Sequence, residues 1–171
     1  MATTNDFKTE IIAQLRIRVF EESVPRIKKC LAELTDAEIW WRPNDNSNAI
    51  GNLVLHLCGN ARQWILSGIG GAPDKRERQK EFDQRDIIPK AELLKLLDDL
   101  IAEIAVLLPS ITAKELLRVR PVQIYQETGI SILIHVIEHF SYHVGQMTVI
   151  VKSLKNKQLG YYKGQNLMGK P

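Results

Sequence analysis

The sequence is short of several things, and each shortage removes a class of protein. It has two cysteines, Cys30 and Cys58, with no CxxC spacing. Neither a disulfide framework nor a cysteine-based zinc ribbon is available, and unpaired cysteines of this kind fit a reducing cytoplasm. No apolar run reaches the ~18 residues of a membrane span. The opening MATTNDFKTE has no apolar signal core. An excess of one charge is also missing. The formal net charge is +3, from 23 basic and 20 acidic residues that are interspersed, which argues against a nucleic-acid surface. There is no internal repeat and no low-complexity tract. What remains is an ordinary apolar and charged composition, and 171 residues suit one domain, 1–171, with a sizeable core.

Histidine is scarce as well, at four residues, but three of them fall in one stretch, Ser131–Lys155, SILIHVIEHFSYHVGQMTVIVKSLK. With no proline and a single glycine it reads as one long helix. Leu133, Ile137, Phe140, Val144, Met147, Val151 and Leu154 give a core-facing stripe at three-and-four spacing. His135, His139, Tyr142, His143 and Gln146 form a second stripe on a different face. Ile132, Ile134, Val136, Val149 and Ile150 fill the flanks. A helix apolar on most sides is buried, and buried imidazoles need partners.

The rest of the chain reads as further helices. A first helix, capped by Asp6 or Asn5, is expected to run to about Leu34, with a kink or a break where the apolar stripe shifts near Pro25. Thr35-x-x-Glu38 has the form of a capping box opening a short turn that ends at Trp40 and Trp41, expected as core or lid residues. Ser47 or Asn48 can cap a second helix from about Ala49 to Ser67. It carries an apolar face and a polar stripe of Asn52, His56, Gly59, Asn60 and Gln63. Amides one turn from a histidine are candidates to orient its ring. The run Asp74–Asp86, DKRERQKEFDQRD, holds five basic and five acidic residues and is expected as a solvated loop or short surface helix. A connection of this length lets the second and third helices run parallel through a crossover. Pro89 suits the first position of the third helix, whose stripe is Leu93, Leu97, Leu100, Ile104 and Leu107, with Pro109 stopping it. Ala113–Leu117 reads as a short helix and Arg118–Gln126 as extended. Thr128 or Ser131 caps the histidine-bearing helix. The tail is expected to pack Tyr161 and Tyr162 back on the helices and leave its lysines in water.

At four-residue spacing His139 and His143 share one helical face and can share a metal ion, and so can His135 and His139. Neutral imidazole ligates zinc, nickel and iron. Three rings at this spacing span ~12 Å of helix, too far for one ion at ~2.1 Å from each. One pair must be used, with a third ligand from another helix, and His56 is the remaining histidine. Three protein ligands leave positions open for water or substrate, as catalytic sites do. His135-Val136-Ile137-Glu138-His139 also has the H-x-x-E-H form of inverted zinc proteases, but nothing else in the chain suggests that architecture.

RPNDNSNAIGNLVLHLCGNARQWI, the RERQKEF stretch and HVIEHFSYHVGQM together resemble the DinB-like (damage-inducible, YfiT-like) superfamily over nearly the whole chain. The resemblance implies an all-α fold, a four-helix bundle with up-down-down-up topology and a long crossover between helices 2 and 3. It also implies a homodimer. It assigns a divalent metal (Zn, Ni, Fe or Mn) to His56, His139 and His143, followed by Gly145-Gln146, and gives His135 no ligand role. The family often has arginine after the last ligand. Here Val144 stands there, so that arginine's contacts are missing.

Together with the histidine spacing, the resemblance implies a metal-dependent enzyme, a low-molecular-weight thiol S-transferase of the bacillithiol or mycothiol type acting on a small molecule. Asn52, Asn60, Gln63, Tyr142 and Gln146 would support the ligands or line the pocket. Two other readings stand beside it. One is a metal-dependent hydrolase of small esters or amides. The other is a dimeric stress-response protein with a metal but no activity.

Overall fold

The structure, a computed structural model, describes residues 3–169, without the side chains of residues 4 and 5. It is mostly helical, with one short hairpin. The first run begins with α1 (Thr4–Leu15). Thr3, not Asp6, is its cap: the Thr3 side chain accepts from the Asp6 N–H, and the Asp6 carboxylate accepts from the Thr3 N–H at 2.7 Å. The side chain of Asn5, the other expected cap, lies outside the described residues. A π-helical segment, Arg16–Ser23, leads into α2 (Val24–Ala32). The shift of the apolar stripe is made there. Pro25 has no N–H to give, and the ladder widens ahead of it, with Val24 N–H bonding Val19 O. Phe7, an apolar residue of this run, is exposed.

The capping box at Thr35 opens α3 (Asp36–Ile39) as expected. Trp40 then donates its Nε1–H to Ile88 O at 3.0 Å, while Trp41 stays exposed. The ring of Trp40 packs on Gly51, where a Cβ would come within 2.6 Å. The helix α4 (Ile50–Ala61) continues as a second π-helical segment, Arg62–Ile69. Its cap is Ala49 rather than Ser47 or Asn48. The Ala49 N–H is satisfied from inside the helix by Asn52 Oδ1, at 3.1 Å.

After the turn at Gly70 and Gly71 the crossover forms α5 (Arg78–Asp83), and Pro89 directly precedes α6 (Lys90–Leu107). Leu93, Leu97, Leu100 and Ile104 of α6 are fully buried. A 3₁₀ turn at Leu108–Ser110 ends that helix, and α7 (Ala113–Leu117) follows behind its Thr112 cap. The stretch expected to be extended is an antiparallel hairpin of β1 (Val119–Val122) and β2 (Tyr125–Thr128), turning at Gln123 with positive φ. Arg120 of β1 is buried and donates to the carbonyls of Gly68 and Ile69, at 3.1 and 3.3 Å, closing the end of the second π-helical segment.

The long helix α8 (Gly129–Lys155) is capped by Thr128, which accepts from Ser131 N–H at 3.1 Å, and it ends at left-handed Asn156. It packs on α1, α2, α4, α7, β2 and both π-helical segments, while α4 also packs on α5 and α6. The expected stripe is inside: Leu133, Phe140, Val144, Met147 and Val151 are buried. The flanks are less covered than their composition suggests, since Ile134 and Val149 are exposed. In the tail Tyr161 packs back, its hydroxyl 2.7 Å from Thr148 Oγ1 and 3.2 Å from Cys30 Sγ. Tyr162 lies over Arg26 but stays half exposed, and Lys157 is exposed as expected while pairing with Glu33. No helix among the described residues is long and apolar enough to cross a membrane.

Candidate metal centre

Two helices bring three imidazoles to one point. His56 comes from the middle of α4, and His139 and His143 from consecutive turns of α8. The Nε2 atoms of His56 and His143 each lie 3.0 Å from His139 Nε2. The three donor atoms lie within 4.8 Å of one another. Two nitrogens at ~2.1 Å from a tetrahedral ion would stand ~3.4 Å apart, so the spacing is that of atoms able to share one ion.

The outer faces of the rings decide what the inner faces offer. His56 Nδ1 is 2.9 Å from Glu81 Oε2, and His143 Nδ1 is 2.8 Å from Gln146 Oε1. An oxygen acceptor at Nδ1 places the ring proton there and leaves a lone pair on Nε2. Two lone pairs then face His139 Nε2. Burial, with the neighbouring His143 and His56 rings adding to it, pushes the pKa of His139 down to about 3, so this ring is neutral. Burial likewise lowers His143, with Gln146 opposing. Three convergent imidazole nitrogens, with His139 and His143 held toward the neutral form by burial, fit a divalent cation. His139 Nδ1 is buried without a hydrogen-bond partner among the described residues, so of the three rings this one alone lacks an orienting acceptor.

Glu81 and Arg76 were not picked out by the sequence. Both lie in the charged run expected to be solvated, yet their side chains are only 11% and 4% exposed. Arg76 holds Glu81 through Nε to Oε1 at 2.7 Å and Nη2 to Oε2 at 2.9 Å, and donates Nη1 to Gln63 Oε1 at 2.9 Å. Burial would raise the Glu81 carboxyl, but Arg76 and His56 outweigh it and hold the group below its ordinary value, ionised. Phe82, the next residue, packs its ring 4.6 Å from that of His56.

The other expected residues fall around this centre in different ways. Gln146 touches His143 directly. Tyr142 is largely exposed, with its ring 5.0 Å from His143. Gln63 reaches no imidazole and braces Arg76, donating also to Asp74 at 2.7 Å. Asn52 is fully buried and donates to the carbonyls of Glu81 and Gln84, at 2.9 and 3.1 Å, so it anchors the crossover rather than His56. Asn60 Nδ2 lies 3.3 Å from His135 Nε2. His135 stacks on Trp64 at 3.7 Å between centroids and stands outside the convergent group. Burial lowers its pKa, against the pull of Glu127 and Glu138. The H-x-x-E-H reading would need His135 as a ligand, and here that ring is turned to Asn60 and Trp64.

The sequence matches the family described as a protein of unknown function, DUF1572, over residues 6–162. The chain belongs to that family. None of the curated proteins matches it. Among solved structures it is similar to a crystal structure of the conserved protein of locus from Enterococcus faecalis. That likeness has a TM-score of 0.67 and 16% identity, and it covers 92% of this chain and 100% of that one. At this identity it speaks for the fold alone. The DUF1572 match runs from Asp6, inside α1, to Tyr162, so it takes in all three convergent histidines together with Glu81 and Gln146.

Proposed function

We propose that this DUF1572 member is a metal-dependent enzyme, a low-molecular-weight thiol S-transferase built on a DinB-like four-helix bundle. In this reading the first run, α4, α6 and α8 are the bundle helices in up-down-down-up order, and the crossover is residues 70–89. The observation that carries it is the convergence of His56, His139 and His143 Nε2, two of them 3.0 Å from the third. The resemblance supplies the reaction class.

A divalent ion held by these three histidines would act as a Lewis acid that lowers a thiol's pKa, making thiolate available near neutral pH. The chain's own groups do the rest. Glu81 and Gln146 fix the ring orientations, and the burial that holds His139 neutral keeps its lone pair free for binding. Phe82 and Tyr142 flank the imidazoles as ring surfaces for an incoming small molecule. In the transfer, the thiol proton leaves to solvent and the sulfur forms a bond to the electrophilic carbon. The leaving group departs with the electron pair of the bond it breaks. The hydrolase reading has less support: Glu81 is bound to Arg76 and His56, and Glu138 is exposed, so neither carboxylate is free beside the donors. A homodimer in the cytoplasm completes the reading. It draws on the resemblance and on the two free, buried cysteines.

The test is metal content by mass spectrometry on untagged protein, followed by conjugation of monochlorobimane with a panel of cellular thiols. Near-stoichiometric metal and thiol conjugation are expected. Metal-loaded protein that conjugates none of the thiols would end the transferase reading.

A further inference from the structure

Two groups compete for one nitrogen of His56. Glu81 Oε2, 2.9 Å from Nδ1, can only accept a hydrogen bond, and Arg76 Nη2, 3.1 Å from the same atom, can only donate one. A neutral imidazole carries one ring proton, so the two contacts demand opposite tautomers. Paired with Glu81, His56 carries its proton on Nδ1 and points a lone pair at His139. Paired with Arg76, it carries the proton on Nε2, in the place where a cation would be bound.

The fold favours Glu81 by construction. Its carboxylate is gripped at both oxygens by Arg76, which turns the rival donor into a support. Its backbone carbonyl is held by Asn52. Its seat against α4 exists because residue 59 is glycine. A Cβ there would stand 2.0 Å from Glu81 Oε1 and 3.1 Å from Arg76 Nε. Glycine is a poor helix former, and Gly59 lies inside α4 without the positive φ that would call for it. The room it leaves for the carboxylate accounts for its presence, one turn along from His56.

We propose that Glu81, seated by Gly59 and gripped by Arg76, sets the tautomer of His56 and so decides whether the three-histidine centre can ligate a metal. The consequence for metal binding rests on the metal-centre reading, while the tautomer does not. Glu81 is thus a positioning residue that acts through His56 from a segment outside the two ligand-bearing helices.

The experiment is imidazole 15N NMR of the chelator-treated full-length protein near neutral pH, with zinc titration of the same samples. Wild-type His56 is expected as the Nδ1–H form. Glu81→Ala leaves Arg76 as the neighbour and is expected to move the proton to Nε2. Gly59→Ala keeps both side chains but displaces the carboxylate, and is expected to act in the same direction. Glu81→Gln retains an acceptor and is expected to keep Nδ1–H. Zinc affinity should fall ~10–100-fold in Glu81→Ala and Gly59→Ala, the range seen when a ligand's orienting partner is lost. Melting temperatures that drop in both variants while tautomer and zinc affinity stay at wild-type values would overturn the proposal, leaving Glu81 as mere packing. A wild type that refuses zinc would overturn the metal reading instead, and the tautomer measurement would still decide this one.

Discussion

The two flanks of the histidine cluster are built by different means. On one flank His143 is oriented by Gln146, a neutral amide three residues along the same helix. On the other His56 is oriented by Glu81, an ionised carboxylate 25 residues away, itself held by a buried guanidinium. The first arrangement follows from helical geometry, because residues three apart share a face. The second exists only after the crossover has folded back onto α4. Charge-assisted hydrogen bonds are roughly twice as strong as neutral ones, so the remote flank is also the one with more to lose. His139, between them, has neither support.

The largest effect that tests this contrast is at the centre. His139→Ala removes the nitrogen that both other donors face, and zinc affinity should fall by more than about 100-fold, beyond the cost of losing an orienting partner. His135→Ala, one turn away, should retain the metal. Loss of metal in His135→Ala alone would move the site along α8.

Next comes the remote flank as a piece of structure. Arg76→Ala leaves Glu81 ionised and poorly solvated, and chemical denaturation should show a loss of about 3 kcal/mol, the lower end for breaking a buried ion pair from one side. A loss below half a kilocalorie would mean that the crossover is only loosely docked. The local flank should be milder on both counts. Gln146→Ala is expected to cost about 1 kcal/mol of stability, as for a neutral hydrogen bond, and to weaken zinc binding by about tenfold. Equal losses in zinc affinity for Gln146→Ala and Glu81→Ala would erase the distinction between the flanks.

Acid should act on the cluster before it acts on the surface. The His139 ring titrates at an ordinary 6.5 when unfolded and at about 3 in the fold. The unfolded chain therefore takes up its proton first, and stability is full above pH 6.5 and declines as pH falls toward 3. Melting temperatures of the chelated protein should be lower at pH 5 than at pH 7.5. Identical values would show that the ring is not held neutral. Glu38 is the half-buried counterpart. Its carboxyl is held down at about 2 by Lys155 and the Thr35 cap, against 4.5 ordinarily, so its contribution persists until pH falls below 4.5. Lys155→Ala should lower the melting temperature at pH 7 only slightly, since ion pairs near the surface contribute little. A clear drop would mean that the tail-side pair carries structural weight.

The sequence by itself determined the helices and narrowed the converging imidazoles to His56 with one of two pairs on α8, and the resemblance chose His139 with His143. Periodicity and capping residues are local, so the extent of α8, the caps at Thr35, Thr112 and Thr128, and the stripe of α6 could be read one residue at a time. Scarcity did the remaining work: with four histidines, and two pairs possible on α8, the partner from another helix had to be His56. The reading of Ser47 or Asn48 as a cap failed because Asn52 satisfies Ala49 from within the helix. The sequence likewise could not foresee that π-helical turns would absorb the stripe shift before Pro25.

Only the tertiary structure decided which charges matter. The run Asp74–Asp86 has alternating signs and no periodic bias, so any of its acidic residues could equally have faced water. Folding turns Glu81 and Arg76 inward together, where each offsets the desolvation of the other and both satisfy His56 and Gln63. A pair of that kind leaves no composition signal, because what turns it inward is docking on His56 and Gln63, 25 and 13 residues away from Glu81 and Arg76 respectively. The one local trace is Gly59, a residue whose cost to the helix makes sense only beside the carboxylate it admits.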